Sequence, residues 1–150
     1  MMQPREDLDE LYEEIVLDHY RNPRSAALLA APTVDVAVNN PFCGDEIRLQ
    51  LKAGLDGKVE AISVTGRGCA ISQSSGSLLT GLVGGKDANG LHDTVVLVRR
   101  LLKGDRLTEA DMDNLGDLAA LAGVRRYPVR VKCALLAWSA LEEAAEKLKA

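Results

Sequence analysis

A chain of 150 residues that is 47% apolar has the length and composition of one domain with a real core, so a single domain spanning residues 1–150 is expected. Aromatic residues make up only 3%, which makes that core one of Leu, Val, Ile and Ala. The formal charge of −4 leaves no basic excess to neutralise a phosphate backbone and argues against nucleic-acid binding.

The N-terminal stretch from Met1 to Asp9 is acidic and has no apolar segment of the kind a secretory signal needs. No apolar run of about 18 residues exists to span a membrane, so a cytoplasmic protein is expected. Three cysteines are an odd number for a disulfide framework, and cytosolic thiols stay reduced. Thiol chemistry or metal binding is then set against the plainer alternative of three small buried hydrophobes.

Along the chain, Leu8, Leu11, Tyr12, Ile15 and His19 share one stripe and predict a helix from about Arg5 to Tyr20, stopped at Asn22-Pro23. A lone histidine on such a stripe is more often packing or surface than a site. Residues Ser25 to Pro32 form a small-residue connection, expected to be partly helical. Three strands follow. Val34, Val36 and Val38 alternate with other residues, as do Ile47, Leu49 and Leu51, which gives one wet and one dry face. The third strand is Lys58 to Thr65, and Asp56-Gly57 marks the hairpin turn before it.

Beyond Gly66-Arg67-Gly68 the period becomes helical. A helix from Cys69 to about Val83 carries Ser72, Gln73, Ser74, Ser75 and Ser77, a small polar face expected to lie against a site or a partner. Leu91 to Lys103 is amphipathic, with Gly104 as its stop. Thr108 is a good N-cap for a further short helix, and Leu115, Leu118, Ala119 and Leu121 continue the helical spacing. Val124 to Lys132 looks extended and basic, and Cys133 is expected to open the last helix, whose buried stripe includes Trp138.

The hexapeptide Asn40-Pro41-Phe42-Cys43-Gly44-Asp45 places a thiol and a carboxylate two residues apart at the joint between the first two strands. In an extended chain, side chains at i and i+2 point to one side, so the pair can grip one ion. Gly44 allows a sharp bend there. Cys69 and Cys133, read as residues at helix N-termini, should have lowered thiol pKa values. Three thiolates and one carboxylate suit zinc or an iron–sulfur centre better than magnesium or calcium. With zinc, the site would be net negative, and Arg67, Arg130 and Lys132 are the nearest cations in sequence. The ligand spacings are wide and no CxxC knuckle is present, so spacing alone leaves scattered cysteines as the alternative.

Four ordered motifs then carry a resemblance that covers essentially the whole chain. They are Asp18-His19-Tyr20-Arg21-Asn22-Pro23-Arg24, the hexapeptide itself, Gly66-Arg67-Gly68-Cys69-Ala70-Ile71-Ser72, and the stretch from Pro128 to Trp138 that contains Arg130-Val131-Lys132-Cys133. With these the chain resembles the U-type iron–sulfur cluster assembly family, the IscU/NifU N-terminal fold, and looks closest to its SufU branch. Scaffold-type members carry a histidine just before the third cysteine, where this chain has Lys132. They are also shorter between the second and third cysteines, where this chain has an additional segment around 86–107.

The resemblance implies an α+β fold, a three-stranded antiparallel sheet with helices packed on one face. It implies zinc held by Cys43, Asp45, Cys69 and Cys133, with Cys43 accepting persulfide sulfur from a PLP-dependent cysteine desulfurase of the SufS type. Arg130 matches an arginine that supports the site when ligands exchange. Downstream cluster assembly proteins would be further partners. Two other functions stay open: a scaffold on which an iron–sulfur cluster is built, and a non-catalytic zinc-stabilised binding module. The Asp18–Tyr20 region and the 86–107 segment are candidates both for desulfurase contact and for simple packing.

Overall fold

The computed structural model describes residues 4–24, 27–41 and 44–149. Their elements run in the order α1 (Pro4–Arg21), β1 (Val34–Asn40), β2 (Asp45–Ala53), β3 (Val59–Arg67), α2 (Ala70–Thr80), α3 (Ala88–Lys103), α4 (Glu109–Leu115), a 3-10 helix (Gly116–Arg126) and α5 (Pro128–Lys149). The fold is α+β, as expected. The strands form one antiparallel sheet in the order β1-β2-β3.

Register follows the alternation. Val36 pairs with Leu49 and Val38 with Ile47 across β1 and β2, while Leu49 pairs with Val64 and Leu51 with Ile62 across β2 and β3. The apolar residues of all three strands therefore share one face, and a one-residue slip would turn them all outward. Helices α2 and α5 lie on that face, α1 packs on α2, and α3 packs on α5. The core is aliphatic around one aromatic residue, the fully buried Trp138.

The second sheet face is not wholly wet. Residues 27–32 form an irregular segment, not a helical one, and cover part of it. Gln50 Oε1 accepts the Leu29 N–H at 2.8 Å, and Ser63 Oγ donates to the Ala27 carbonyl at 2.6 Å, which buries both side chains. A residue pattern shows which way a side chain points, but not whether a distant loop will cover it.

Helix α2 is the hub of the helical layer, and its serine face lies inside the chain. Ser74 Oγ donates to the Val16 carbonyl of α1 at 2.6 Å, and Ser75 Oγ donates to the Ala134 carbonyl of α5 at 2.6 Å. Trp138 Nε1–H donates in turn to Ser75 Oγ at 2.9 Å. His19 Nδ1 and Ser77 Oγ form a 2.7 Å hydrogen bond, so His19 is a buried packing residue. Small side chains let the three helices approach closely, and the hydroxyls meet carbonyls that a helix leaves pointing outward.

The 86–107 segment is helical, as expected. Asp87 caps α3, its side chain accepting the Gly90 N–H, and Leu91, Val95, Val98, Leu101 and Leu102 bury its inner stripe. Gly104 ends it in the left-handed conformation at φ 95°. Thr108 caps α4 through the Asp111 N–H at 3.1 Å.

The stretch Val124 to Lys132 departs from its extended reading. The 3-10 helix runs to Arg126, and α5 begins at Pro128, five residues before Cys133. Alternating Val129 and Val131 read as a strand, but Pro128 sits at the first helical position, where its fixed φ fits and its missing N–H costs nothing. Tyr127 turns the chain between the two helices at φ −125° and ψ 84°, outside the α region that the following proline disfavours.

Two stability measurements follow from this packing. Ser75→Ala leaves the buried Trp138 N–H without its acceptor and should cost about 2 kcal/mol in urea unfolding, against about 1 kcal/mol for loss of the Thr108 cap in Thr108→Ala; equal effects would contradict the central place given to Ser75. Burial, then the charge of Arg24, lowers the His19 pKa below the ordinary histidine value of 6.5. The unfolded chain therefore takes up a proton below about pH 6.5 that the folded chain resists, so this stability is present above that pH and lost as pH falls toward the folded value. The urea midpoint should fall between about pH 7 and pH 5, and His19→Gln should flatten the fall; an unchanged slope would exclude His19 as its source.

Candidate metal centre

The site lies where the start of β2 meets the start of α2 and the first turns of α5. Asn40 and Asp45 are register partners, and the Gly44 N–H donates to the Asn40 carbonyl at 2.8 Å. Gly44 adopts φ 73°, a conformation in which a Cβ would clash with the backbone. The bend expected there is present. The extended geometry that would have aimed residues 43 and 45 to one side is interrupted at Gly44. Phe42 and Cys43 lie outside the described residues, so the Cys43 assignment rests on sequence.

Asp45 is the first residue of β2, and its side chain is buried at 2% exposure. Its Oδ1 accepts the Cys69 N–H at 3.0 Å, and its Oδ2 lies 3.8 Å from Cys69 Sγ. Cys69 is the N-cap residue of α2, with φ −70° and ψ 167°, which confirms its expected place at a helix mouth. Ser72 Oγ donates to the Cys69 carbonyl at 3.0 Å and lies 4.0 Å from its sulfur.

Cys133 is not at a helix mouth. It is the sixth residue of α5, almost fully buried, and its Sγ lies 4.0 Å from the Val129 carbonyl one turn back. The stabilisation expected from a helix N-terminus does not apply to it, because the partial positive charge is confined to the first turn. It reaches the site from the flank of the helix instead.

One ligand atom from each of Asp45, Cys69 and Cys133 can be chosen so that all three lie within 4.8 Å of one another. Donors about 2.3 Å from a tetrahedral ion stand roughly 3.8 Å apart, so the donor types and the 3.8 Å separation of Asp45 Oδ2 from Cys69 Sγ fit zinc. Among the described residues, neither Cys69 nor Cys133 is in a disulfide.

Of the three cations expected nearby, Arg130 is at the site. The negative charge of Cys69 and a hydrogen bond to it, followed by the same two effects from Cys133, raise the Arg130 pKa above its ordinary value. Arg67 is elsewhere, its exposed guanidinium paired with Glu46 at 3.0 Å. Arg130 reaches both sulfurs because α5 starts at Pro128, which places residues 130 and 133 on neighbouring turns of one helix. A groove of about 360 Å³ opens beside the site between α1, α2 and the 3-10 helix, and Tyr127 and Arg130 form part of its wall. Tyr127 and Val129 are exposed at this edge. Ser72 is on the face expected to lie against a site or a partner, and it does lie beside Cys69. Its signal was its position three residues after Cys69, one helical turn on.

Comparison with known proteins agrees with this geometry. Residues 11–134 match the family model for the NifU-like N terminal domain. The chain is 42% identical to the zinc-dependent sulfurtransferase SufU of Bacillus subtilis (strain 168), covering 94% of this chain and 93% of that protein. It is 36% identical to the iron–sulfur cluster assembly scaffold protein IscU of Streptococcus pyogenes serotype M1, covering 93% and 86%. Among solved structures, a candidate cluster assembly scaffold protein for the SUF system from Fervidobacterium islandicum AW-1 superposes with a TM-score of 0.81 at 26% identity, covering 91% of this chain and 97% of that one. Among the described residues, no helix is long and apolar enough to cross a membrane.

Proposed function

The chain belongs to the NifU-like N-terminal domain family, and on that premise we propose that it is a zinc-bound sulfur-transfer protein serving a cysteine desulfurase in iron–sulfur cluster assembly. The observation that carries this reading is the convergence of the Asp45 carboxylate and the Cys69 and Cys133 sulfurs within 4.8 Å. The name of the Bacillus subtilis relative supports zinc and sulfur transfer as the chemistry. Cys43 is the fourth ligand and also the sulfur acceptor.

Bound zinc would hold the thiols deprotonated and keep them from oxidising or pairing. The roles of the chain's own residues follow from their placement. Cys69, the N-cap of α2, and Cys133, within α5, are anchored by their helices and stay in place. Cys43 lies between β1 and β2 in the sequence, directly before Gly44. Once released, the Cys43 thiolate attacks the outer sulfur of the partner's persulfide. A bond forms between Cys43 Sγ and that sulfur, the bond from that sulfur to the partner's cysteine breaks, and the partner leaves as a thiolate. The sulfur moves with no net oxidation, and no co-reactant is needed. Arg130, beside both remaining sulfurs, offsets the negative charge of the site.

The exposed edge at Tyr127 and Val129 gives a partner a route to the centre. His19 and the inner stripe of α3 are spent on packing, whereas Tyr20 is exposed beside His19 and remains available to a partner together with the 127–130 edge.

A scaffold function is the competing reading, supported by the names of relatives such as the Streptococcus pyogenes protein. Protein purified without oxygen should carry one tight zinc and no transferable cluster, whereas a reconstitutable, transferable cluster would favour the scaffold. Cys43→Ser should abolish stimulation of desulfurase turnover while the circular dichroism spectrum is retained; stimulation that survives the substitution would leave only a binding module. Arg130→Ala should weaken zinc binding by about tenfold in chelator competition, and Arg67→Ala should leave it unchanged; equal effects would remove Arg130 from the site.

A further inference from the structure

Gly68 immediately precedes Cys69, and its backbone does not demand a glycine, because it is absent from the glycines at positive φ. Its surroundings do demand one. A Cβ built at position 68 would stand 2.3 Å from Asp45 Oδ1, 2.7 Å from Asp45 Cγ and 2.5 Å from Ser72 Oγ, all closer than real Cβ contacts. Neither neighbour can turn aside without loss. Asp45 Oδ1 is tied to the Cys69 N–H and Ser72 Oγ to the Cys69 carbonyl, each at 3.0 Å. Both side chains are buried, at 2% and 1% exposure. The contrast with Gly66 is informative. A Cβ there would lie 1.9 Å from the Glu46 carbonyl oxygen, so that glycine serves the strand ladder.

We propose that Gly68 is a positioning residue for the metal centre: the space left by its missing side chain is the seat of the Asp45 carboxylate. Seated there, Asp45 spends Oδ1 on the Cys69 amide and turns Oδ2 toward the sulfurs. The carboxylate is thus presented as a one-oxygen ligand, and the backbone of Cys69 is held by the same residue that would share its metal. A methyl group at position 68 displaces the carboxylate, frees the Cys69 amide and misplaces two ligands together. The role in zinc binding rests on the proposed function above; the seat itself is a property of the metal-free chain.

The test is a four-protein cycle of wild type, Gly68→Ala, Asp45→Ala and the double variant. Each is measured metal-free by urea unfolding and by hydrogen exchange at the Cys69 amide, then by zinc affinity against a chelator. Gly68→Ala should lower the urea midpoint, speed Cys69 amide exchange by about tenfold and weaken zinc by about tenfold or more. In the Asp45→Ala background the same substitution should have at most half its effect on midpoint and exchange, because the carboxylate it displaces is gone. If Gly68→Ala alone fails to fold, the double variant should regain a folded state. Additive effects, unchanged Cys69 exchange in Gly68→Ala, or a double variant that is not rescued would overturn the proposal. Wild-type protein that binds no zinc would overturn the proposed function, while the metal-free cycle would still decide whether Gly68 is the seat.

Discussion

The hydrogen bond from the Cys69 N–H to Asp45 Oδ1 is the constraint on which the rest of the site depends. It joins the first residue of β2 to the N-cap of α2, two points 24 residues apart in sequence. A carboxylate buried to this degree is costly unless its oxygens are matched by donors or cations. A backbone amide at a helix mouth meets one of them, Oδ1. The geometry is therefore that of a ligand prepared before its metal arrives, and the orientation is fixed by backbone groups on two rigid elements.

That junction stays in place because of what lies beneath it. Helix α2 is held against α1 and α5 by serine hydroxyls that reach backbone carbonyls on both, and Trp138 closes the network through Ser75. Since α5 also carries Arg130 and Cys133, the same contacts that pack the core set the distance between the second and third thiols. A polar network buried this deeply stabilises only when every member is satisfied, and among the described residues no buried side-chain polar atom lacks a partner. Core packing and site geometry are one problem in this fold.

Much of this was legible in the sequence. Alternating valines and leucines gave the sheet its register, Asp56-Gly57 its hairpin, and Thr108 and Gly104 their helix ends, because these signals are local. The site residues were legible as chemical types, and the motif contexts of Cys69 and Cys133 tied them to a known family. What failed depended on distant partners. The serines of α2 read as a face against a site or a partner, but Ser74 and Ser75 meet backbone carbonyls of α1 and α5. Gln50 looks solvent-facing until residues 27–32 cover it. The two valines flanking Arg130 imitate a strand, and only the proline before them reveals the helix that brings Arg130 and Cys133 to the same edge of the molecule. Gly68 was legible as a glycine but not as a seat, since its reason is a carboxylate from another element.

The central claim is that one carboxylate and three thiols form a single zinc site. X-ray absorption at the zinc edge of the wild-type protein reads that donor set directly. The account predicts three sulfurs at about 2.3 Å and one oxygen at about 2.0–2.2 Å, with the oxygen lost or replaced by water in Asp45→Ala. A shell of two sulfurs or fewer, or one made of nitrogen and oxygen alone, would contradict it.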